Sequence, residues 1–416
     1  MTAPTIESEV RSYSRNWPVV FDRASGSRLY SRDGRAYLDF FAGASSLNYG
    51  HNHPVLKRVL LDYLERNGIA HSLDMLTAAK EDFLAEFAAR VLLPRRLDYR
   101  IQFPGPTGTN SVEAALKLAR KVTGRQTVVA FTGAFHGMSL GSLAVTGSAA
   151  KRGGAGVPLG HTWRVPYDGF GGGEVSGLKL LDSMLADSSS GLDLPAAVIV
   201  ETVQGEGGVN PARLTWLAEL AELCNRRGIL LIVDDIQMGC GRTGPFFSFE
   251  TAGIVPDIVC LSKSISGYGL PMSLTLFRTE LDVWEPGEHN GTFRGNNPAF
   301  VTATAALQEF WADDVLMKQT GERALLFEQE LGELVDRHPA HVAASRGRGL
   351  VWGLVFREPR TARQVADEAF ARGLLVETSG SRDEVVKLLP PLTSTDDELA
   401  EGLGLLRDSV ASVVGG

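Results

Sequence analysis

Between about residues 54 and 297 the chain alternates stretches whose apolar residues recur at helical spacing with short unbroken apolar runs at residues 99–103, 127–131, 196–200, 229–234 and 258–261. Apolar runs without polar alternation suit strands buried on both faces, and the intervening helices supply the cover. The pattern predicts an α/β unit with a mostly parallel sheet. Val112, Ala115, Leu116 and Ala119 predict a helix that starts near Thr109. Upstream, residues 6 to about 15 read as a short helix, and Arg28-Leu29-Tyr30 with Ala36-Tyr37-Leu38-Asp39-Phe40 as a hairpin around Arg32-Asp33-Gly34-Arg35. After Asn297-Pro298 a helix is expected to about Trp311. The remainder, with the apolar run 350–356, reads as a smaller α+β unit that ends in a helix. The glycine stretches 153–156 and 171–173 are expected to be loops inside the large unit.

At 416 residues the chain has room for one large core and a second, smaller one. Its 41 basic and 49 acidic side chains leave a net charge of −8, which argues against a nucleic-acid or anionic-membrane surface. No apolar run has the length of a membrane span, and the amino terminus has neither a basic nor an apolar leader, so a cytoplasmic protein is expected. Cys224, Cys240 and Cys260 make no metal-ligand spacing and read as reduced thiols, with Cys240 within reach of solvent in a glycine loop.

Two segments carry the chemistry. The run Leu230-Leu231-Ile232-Val233 closes on Asp234-Asp235, and the run ending at Leu261-Ser262 closes on Lys263. A carboxylate at the end of a buried strand needs a cation to face it, and a buried amine of lowered pKa can form a Schiff base with an aldehyde. A protonated pyridine ring that carries an aldehyde satisfies both, which points to pyridoxal 5'-phosphate. Strand alternation puts Asp234 and Ile236 on one side and Asp235 on the other. Asp234 is then the partner of the ring nitrogen, Ile236 a cover for one ring face, Gln237 a donor to the phenolic oxygen and Asp235 a structural carboxylate.

Thr107-Gly108-Thr109-Asn110 opens the helix, where unpaired amides, the helix dipole and the threonine hydroxyls suit a phosphate, although a plain capped helix has the same residues. In Gly133-Ala134-Phe135-His136-Gly137, Phe135 can stack on a flat cofactor or simply pack in the loop. His136 can orient a group or serve as a hydrogen-bonded structural histidine. Gly239-Cys240-Gly241-Arg242-Thr243-Gly244 lacks the lysine of a phosphate loop and reads as a structural turn. His51 and His53 have no further ligand at metal spacing and read as a turn before Pro54.

Taken in order, Gly108-Thr109, Phe135-His136-Gly137, Glu201 with Gly205-Glu206-Gly207, Asp234 to Gly244, Ser262-Lys263 and Asn290-Gly291-Thr292 resemble the class III, or ω-amino-acid, aminotransferases over nearly the whole chain. The resemblance implies fold type I of the pyridoxal phosphate enzymes. That fold has a large domain with a seven-stranded, mostly parallel sheet covered by helices, and a smaller α+β domain drawn from both termini. The expected boundaries are 1–53 for an amino-terminal segment packing with the small domain, 54–297 for the large domain and 298–416 for the small one. The resemblance also implies Lys263 as the Schiff-base lysine and proton shuttle, small amino and oxo acids as substrates, and a homodimer or pair of dimers. In such an assembly Thr292 reaches the neighbouring subunit's cofactor phosphate.

Glu7-Ser8-Glu9-Val10-Arg11-Ser12-Tyr13, Phe103-Pro104-Gly105-Pro106-Thr107 and Val386-Lys387-Leu388-Leu389-Pro390-Pro391 are most similar to the branch that moves an amine between L-2,4-diaminobutyrate and 2-oxoglutarate at the start of ectoine synthesis. Branches acting on ornithine, 4-aminobutyrate or another amine share the cofactor residues. One departure stands out. Where relatives carry an arginine that grips the substrate carboxylate and is masked by the glutamate matching Glu206, this chain has Lys387, a point charge without the bidentate fork.

Overall fold

The central sheet is built of β1 (Tyr99–Gln102), β2 (Val128–Phe131), β3 (Thr162–Val165), β4 (Ala197–Val200), β5 (Leu230–Asp234), β6 (Ile258–Leu261) and β7 (Leu274–Arg278) in the computed structural model, which describes residues 6–173 and 176–415. Its order is β1-β7-β6-β5-β4-β2-β3. The pairs from β6 across to β3 are parallel, and β7 runs antiparallel to both β6 and β1. Every residue of β2, β4 and β6 is buried, which is why these runs carry no polar alternation. Helix Gly108–Thr123 lays Val112, Ala115, Leu116 and Ala119 on one face of the sheet, against Val128, Ala130, Ile199 and Ile232. Leu217 and Leu220 of helix Leu214–Arg227 belong to the core on the other face, with Val198, Leu231 and Val233.

The amino-terminal segment forms strands Phe21–Ser25, Arg28–Ser31 and Ala36–Asp39, and the sheet is completed by Leu374–Leu375, paired parallel to the third strand. The helix expected over residues 6–15 shrinks to the single turn Tyr13–Asn16. Ser8 Oγ accepts a hydrogen bond from the Val10 amide, a local alternative to helical pairing. A further antiparallel sheet joins Val342–Arg348, Val351–Phe356, Val385–Leu388 and Glu377–Ser379, and its register sets Glu377 directly opposite Lys387.

The glycines at 153–156 do not form a simple loop. They are entered by a short helix, Ala149–Gly153, capped by the Ser148 hydroxyl, and this turn carries Lys151. Among the described residues no helix is long and apolar enough to cross a membrane.

Candidate active site

The carboxyl ends of β1, β2, β4, β5 and β6 deliver in turn helix Gly108–Thr123, the Phe135 loop, Glu201, Asp234 and Lys263 to one edge of the sheet. They enclose a cavity of about 210 Å³ whose walls include Gly108, Thr109, Phe135, His136, Glu201, Glu206, Asp234, Ile236, Gln237 and Lys263. Two residues marked in the sequence lie elsewhere. Lys387 sits behind Glu206, and Thr292 is exposed outside the cavity.

Lys263 occupies a left-handed backbone conformation with φ of +54°, rare for a residue with a side chain. Its neighbours hold it there. Ser262 Oγ donates to the Met272 carbonyl at 2.8 Å, while Ser264 Oγ donates to the Ser45 carbonyl at 2.8 Å and accepts from the Asn48 amide at 2.9 Å. Lys263 Nζ donates to the Ala44 carbonyl at 2.8 Å. Burial lowers its pKa to about 8, against the opposing pull of Glu206.

Asp234 Oδ2 meets His136 Nδ1 at 2.7 Å, and Oδ1 accepts from the Ile236 amide at 3.2 Å. Burial alone would lower the His136 pKa, but the bond to Asp234 and its charge raise it. Glu201, which sequence reading quoted only as part of a motif, accepts from the Phe135 amide at 3.0 Å, and burial raises its pKa to about 7. Strand alternation does not produce the sorting of 234 to 236, because β5 ends at Asp234. The turn that follows still brings Ile236 to the cavity and sends Asp235 inward, where Oδ2 accepts from the Ser248 amide at 3.0 Å.

In the first turn of the helix that opens at Gly108, the Asn110 amide is met by the Thr107 carbonyl at 3.0 Å, while the Gly108 and Thr109 amides have no intrahelical partner. The Thr107 hydroxyl is spent on Asn110 Oδ1 at 2.8 Å. The Thr109 hydroxyl lies 2.6 Å from both Ser139 and Ser142, so these threonines bring amides rather than free hydroxyls. Gly137, at φ +128°, has no room for a side chain, since a Cβ there would stand 2.6 Å from Thr109 Oγ1.

Beside the cavity Lys387 Nζ, fully buried, lies 2.7 Å from Glu206 Oε1 and 2.9 Å from Glu377 Oε1. Despite burial, the two carboxylates raise the lysine's pKa, while Lys387 holds Glu206 well below the usual carboxylate range. Glu377 and Lys151 escaped sequence reading. Lys151 Nζ stands 4.1 Å from the Phe135 ring centroid and 3.9 Å from Glu206 Oε2.

The glycine loop after β5 corrects another expectation. Cys240 is buried, not within reach of solvent, because the loop packs beneath Trp311 and Leu392. Arg242 pins it in place. Its guanidinium, fully buried, donates to the Leu350 and Pro390 carbonyls, to Asn48 Oδ1 and to Ser45 Oγ. His51 Nε2 pairs with Asp39 Oδ2 at 2.7 Å, the structural role expected of this turn.

The model of the class III aminotransferases matches residues 10–410. The diaminobutyrate–2-oxoglutarate transaminase of Streptomyces avermitilis is 65% identical over 407 residues, spanning 98% of this chain and 96% of the relative. That of Nocardia farcinica is 61% identical over 412 residues, or 99% of this chain and 94% of the relative. Among solved structures, an ornithine aminotransferase from Toxoplasma gondii, described with partial occupancy of pyridoxal phosphate at its active site, superposes with a TM-score of 0.85. It covers 98% of this chain and 92% of its own, at 26% identity.

Proposed function

Because the chain belongs to the class III aminotransferases, whose cofactor is pyridoxal 5'-phosphate, we propose that it catalyses the reversible transfer of an amine from L-glutamate to L-aspartate 4-semialdehyde. The products are 2-oxoglutarate and L-2,4-diaminobutyrate. The observation that carries the substrate choice is the 61–65% identity, over nearly the full length, to relatives named for this reaction.

The cavity fits the cofactor. It joins a buried amine of lowered pKa, a carboxylate at a strand end, an aromatic and an aliphatic wall, and a helix amino terminus in one small space. His136 Nε2 is buried without a hydrogen-bond partner among the described residues. At Gly108 a Cβ would come within 3.0 Å of the Ile236 side chain, so glycine leaves the backbone open toward the cavity without displacing that wall. Lys263 would hold the cofactor's aldehyde carbon, Asp234 its ring nitrogen, Phe135 and Ile236 its two faces, Gln237 its phenolic oxygen, and the Gly108 and Thr109 amides its phosphate. When bound, the cofactor supplies an electron sink for the bond broken at the amine-bearing carbon.

The chain's own residues do the rest. Lys263 Nζ, freed as the substrate amine arrives, takes the proton from that carbon and returns it on the other side of the exchange. His136, fixed by Asp234 Oδ2, keeps that carboxylate turned toward the ring nitrogen. Glu206 covers Lys387 when a diamino acid enters and uncovers it for a carboxylate of glutamate. A Lys387→Ala protein is expected to lose the glutamate half-reaction by about tenfold or more while the diaminobutyrate half-reaction changes far less. Single-turnover absorbance with each amino acid separates them, and equal retention of both would remove the role.

Capture of the cofactor requires the neutral Lys263 amine. Its lowered pKa places the change near pH 8, so the loading rate of cofactor-free protein should rise with pH and level off above about 8. A loading rate that kept rising toward pH 10, as for an ordinary lysine, would contradict this.

The same reading includes a cytoplasmic homodimer or pair of dimers. Leu73, Met75, Leu76 and Phe293 are exposed apolar side chains, and the backbone around them adjoins Thr292, whose carbonyl accepts from His71. In the assembly Thr292 would reach the partner's cofactor phosphate.

A further inference from the structure

The Glu206 carboxylate stands between two ammonium groups. Oε1 is 2.7 Å from Lys387 Nζ and Oε2 is 3.9 Å from Lys151 Nζ. Lys387 in turn has a second anion, Glu377, at 2.9 Å and opposite it in the strand register. Along this row the charges alternate: Glu377, Lys387, Glu206, Lys151.

We propose that Lys151 is the second seat of the Glu206 carboxylate, a positioning residue that receives Glu206 when a substrate carboxylate takes its place beside Lys387. The proposal rests on the transamination reading above. Withdrawing one member of a buried ion pair ordinarily strands the other charge. Here neither group is stranded, because the row divides into two opposed pairs, Glu377 with Lys387 and Glu206 with Lys151. At 3.9 Å the Lys151 contact is too long for a hydrogen bond, so Lys387 is the occupied seat in this structure and Lys151 the vacant one.

The surroundings favour a short swing. The Lys387 side chain is wholly buried and anchored on a strand, whereas those of Glu206 and Lys151 are 23% and 39% exposed. Lys151 rides on a five-residue helix at the protein surface and keeps its ammonium over the Phe135 ring, within reach of the cavity wall. Two seats suit two substrates of unlike charge. Glutamate carries a carboxylate on the carbon that bears its reacting amine, where diaminobutyrate, reacting through its terminal amine, carries only hydrogen, and a lysine without a guanidinium fork grips that carboxylate weakly. A low cost of uncovering Lys387 therefore matters more here than it would with arginine.

The test compares wild type, Lys151→Met and Lys151→Arg as cofactor-loaded proteins. Calorimetry gives the affinity for glutarate, a dicarboxylate that cannot react, and single-turnover absorbance gives half-saturation and limiting rate with glutamate and with diaminobutyrate. Lys151→Met is expected to raise the glutarate dissociation constant and the glutamate half-saturation by about fivefold, the scale of a partly exposed ion pair, with both restored in Lys151→Arg. The diaminobutyrate values should stay within about twofold of wild type. Equal changes with both amino acids, no change with either, or failure of arginine to restore would overturn the second seat alone. A wild-type protein that responded to neither amino acid would overturn the transamination reading and the second seat with it.

Discussion

A Lys263→Ala protein is expected to lose transamination by roughly four orders of magnitude or more while remaining folded. The loss is large because the proposed function gives one amine two tasks, joining the cofactor's aldehyde carbon and moving the substrate proton, and among the described residues no other lysine lines the cavity. Lys151 is partly exposed and lies outside the cavity with its ammonium over the Phe135 ring, and Lys387 is pinned by two carboxylates behind Glu206. Stability should hold or rise. The amine is buried with the Ala44 carbonyl as its one hydrogen-bond partner among the described residues, and burial disfavours its charge enough to lower its pKa to about 8. Removing it relieves that penalty, although alanine inherits the left-handed backbone at φ +54°. Single-turnover absorbance with L-glutamate, together with cofactor retention after gel filtration, reads the effect. A rate near wild type, or a cofactor held as firmly as before, would contradict the assignment.

The second large effect belongs to Arg242. Its guanidinium ties the loop after β5 to Ser45 and Asn48 in the amino-terminal segment and to Leu350 and Pro390 in the carboxyl-terminal part, with distances of 2.6 to 3.0 Å. Replacing it by methionine keeps the bulk but takes a donor from four buried acceptors, of which Asn48 Oδ1 alone keeps another, the Ser45 hydroxyl at 2.9 Å, a loss on the order of 3–5 kcal/mol. Arg242→Lys should recover only part of it, since one ammonium cannot span acceptors arranged for a planar fork. Because Ser45 and Ala44 belong to the stretch on which Lys263 rests, weaker cofactor binding should accompany the lost stability. The midpoint of denaturant unfolding measures the first and the dissociation constant for pyridoxal 5'-phosphate the second. A midpoint unchanged in Arg242→Met would show that these bonds add nothing net to stability.

Local pattern made much of the molecule legible. β2, β4, β5 and β6 are continuous apolar runs, and the periodic residues of helix Gly108–Thr123 place its start to within a residue of the expected one. β3 and β7 were missed because Thr162 and Arg164, or Thr275 and Arg278, break up their apolar character. The groups at the strand ends converge because a parallel sheet gathers its carboxyl edges, a rule that needs only the strand positions.

What escaped notice depends on contacts between distant segments. Glu377 meets Lys387 only because two short strands pair in one register, Lys151 reaches Glu206 from a surface turn, and the Ala44 carbonyl that receives Lys263 lies 219 residues away. The positive φ of Lys263 follows from tertiary bonds at Ser262 and Ser264, for which a Ser-Lys-Ser sequence gives no signal. The sequence shows Arg242 only as a member of a structural turn, because its four acceptors come from both ends of the chain. Exposure of Cys240 was misjudged for the same reason, since its neighbour Gly241 backs onto Trp311 and Leu392, both remote in sequence.

The most direct test of the central claim is the visible absorbance of the purified, pyridoxal phosphate-loaded protein during addition of L-2,4-diaminobutyrate, with ornithine and 4-aminobutyrate in parallel. The proposed function predicts a band that is lost with diaminobutyrate, far less with the other two amines, and restored by 2-oxoglutarate. A protein that takes up no cofactor, or whose band bleaches equally with all three amines, would contradict it.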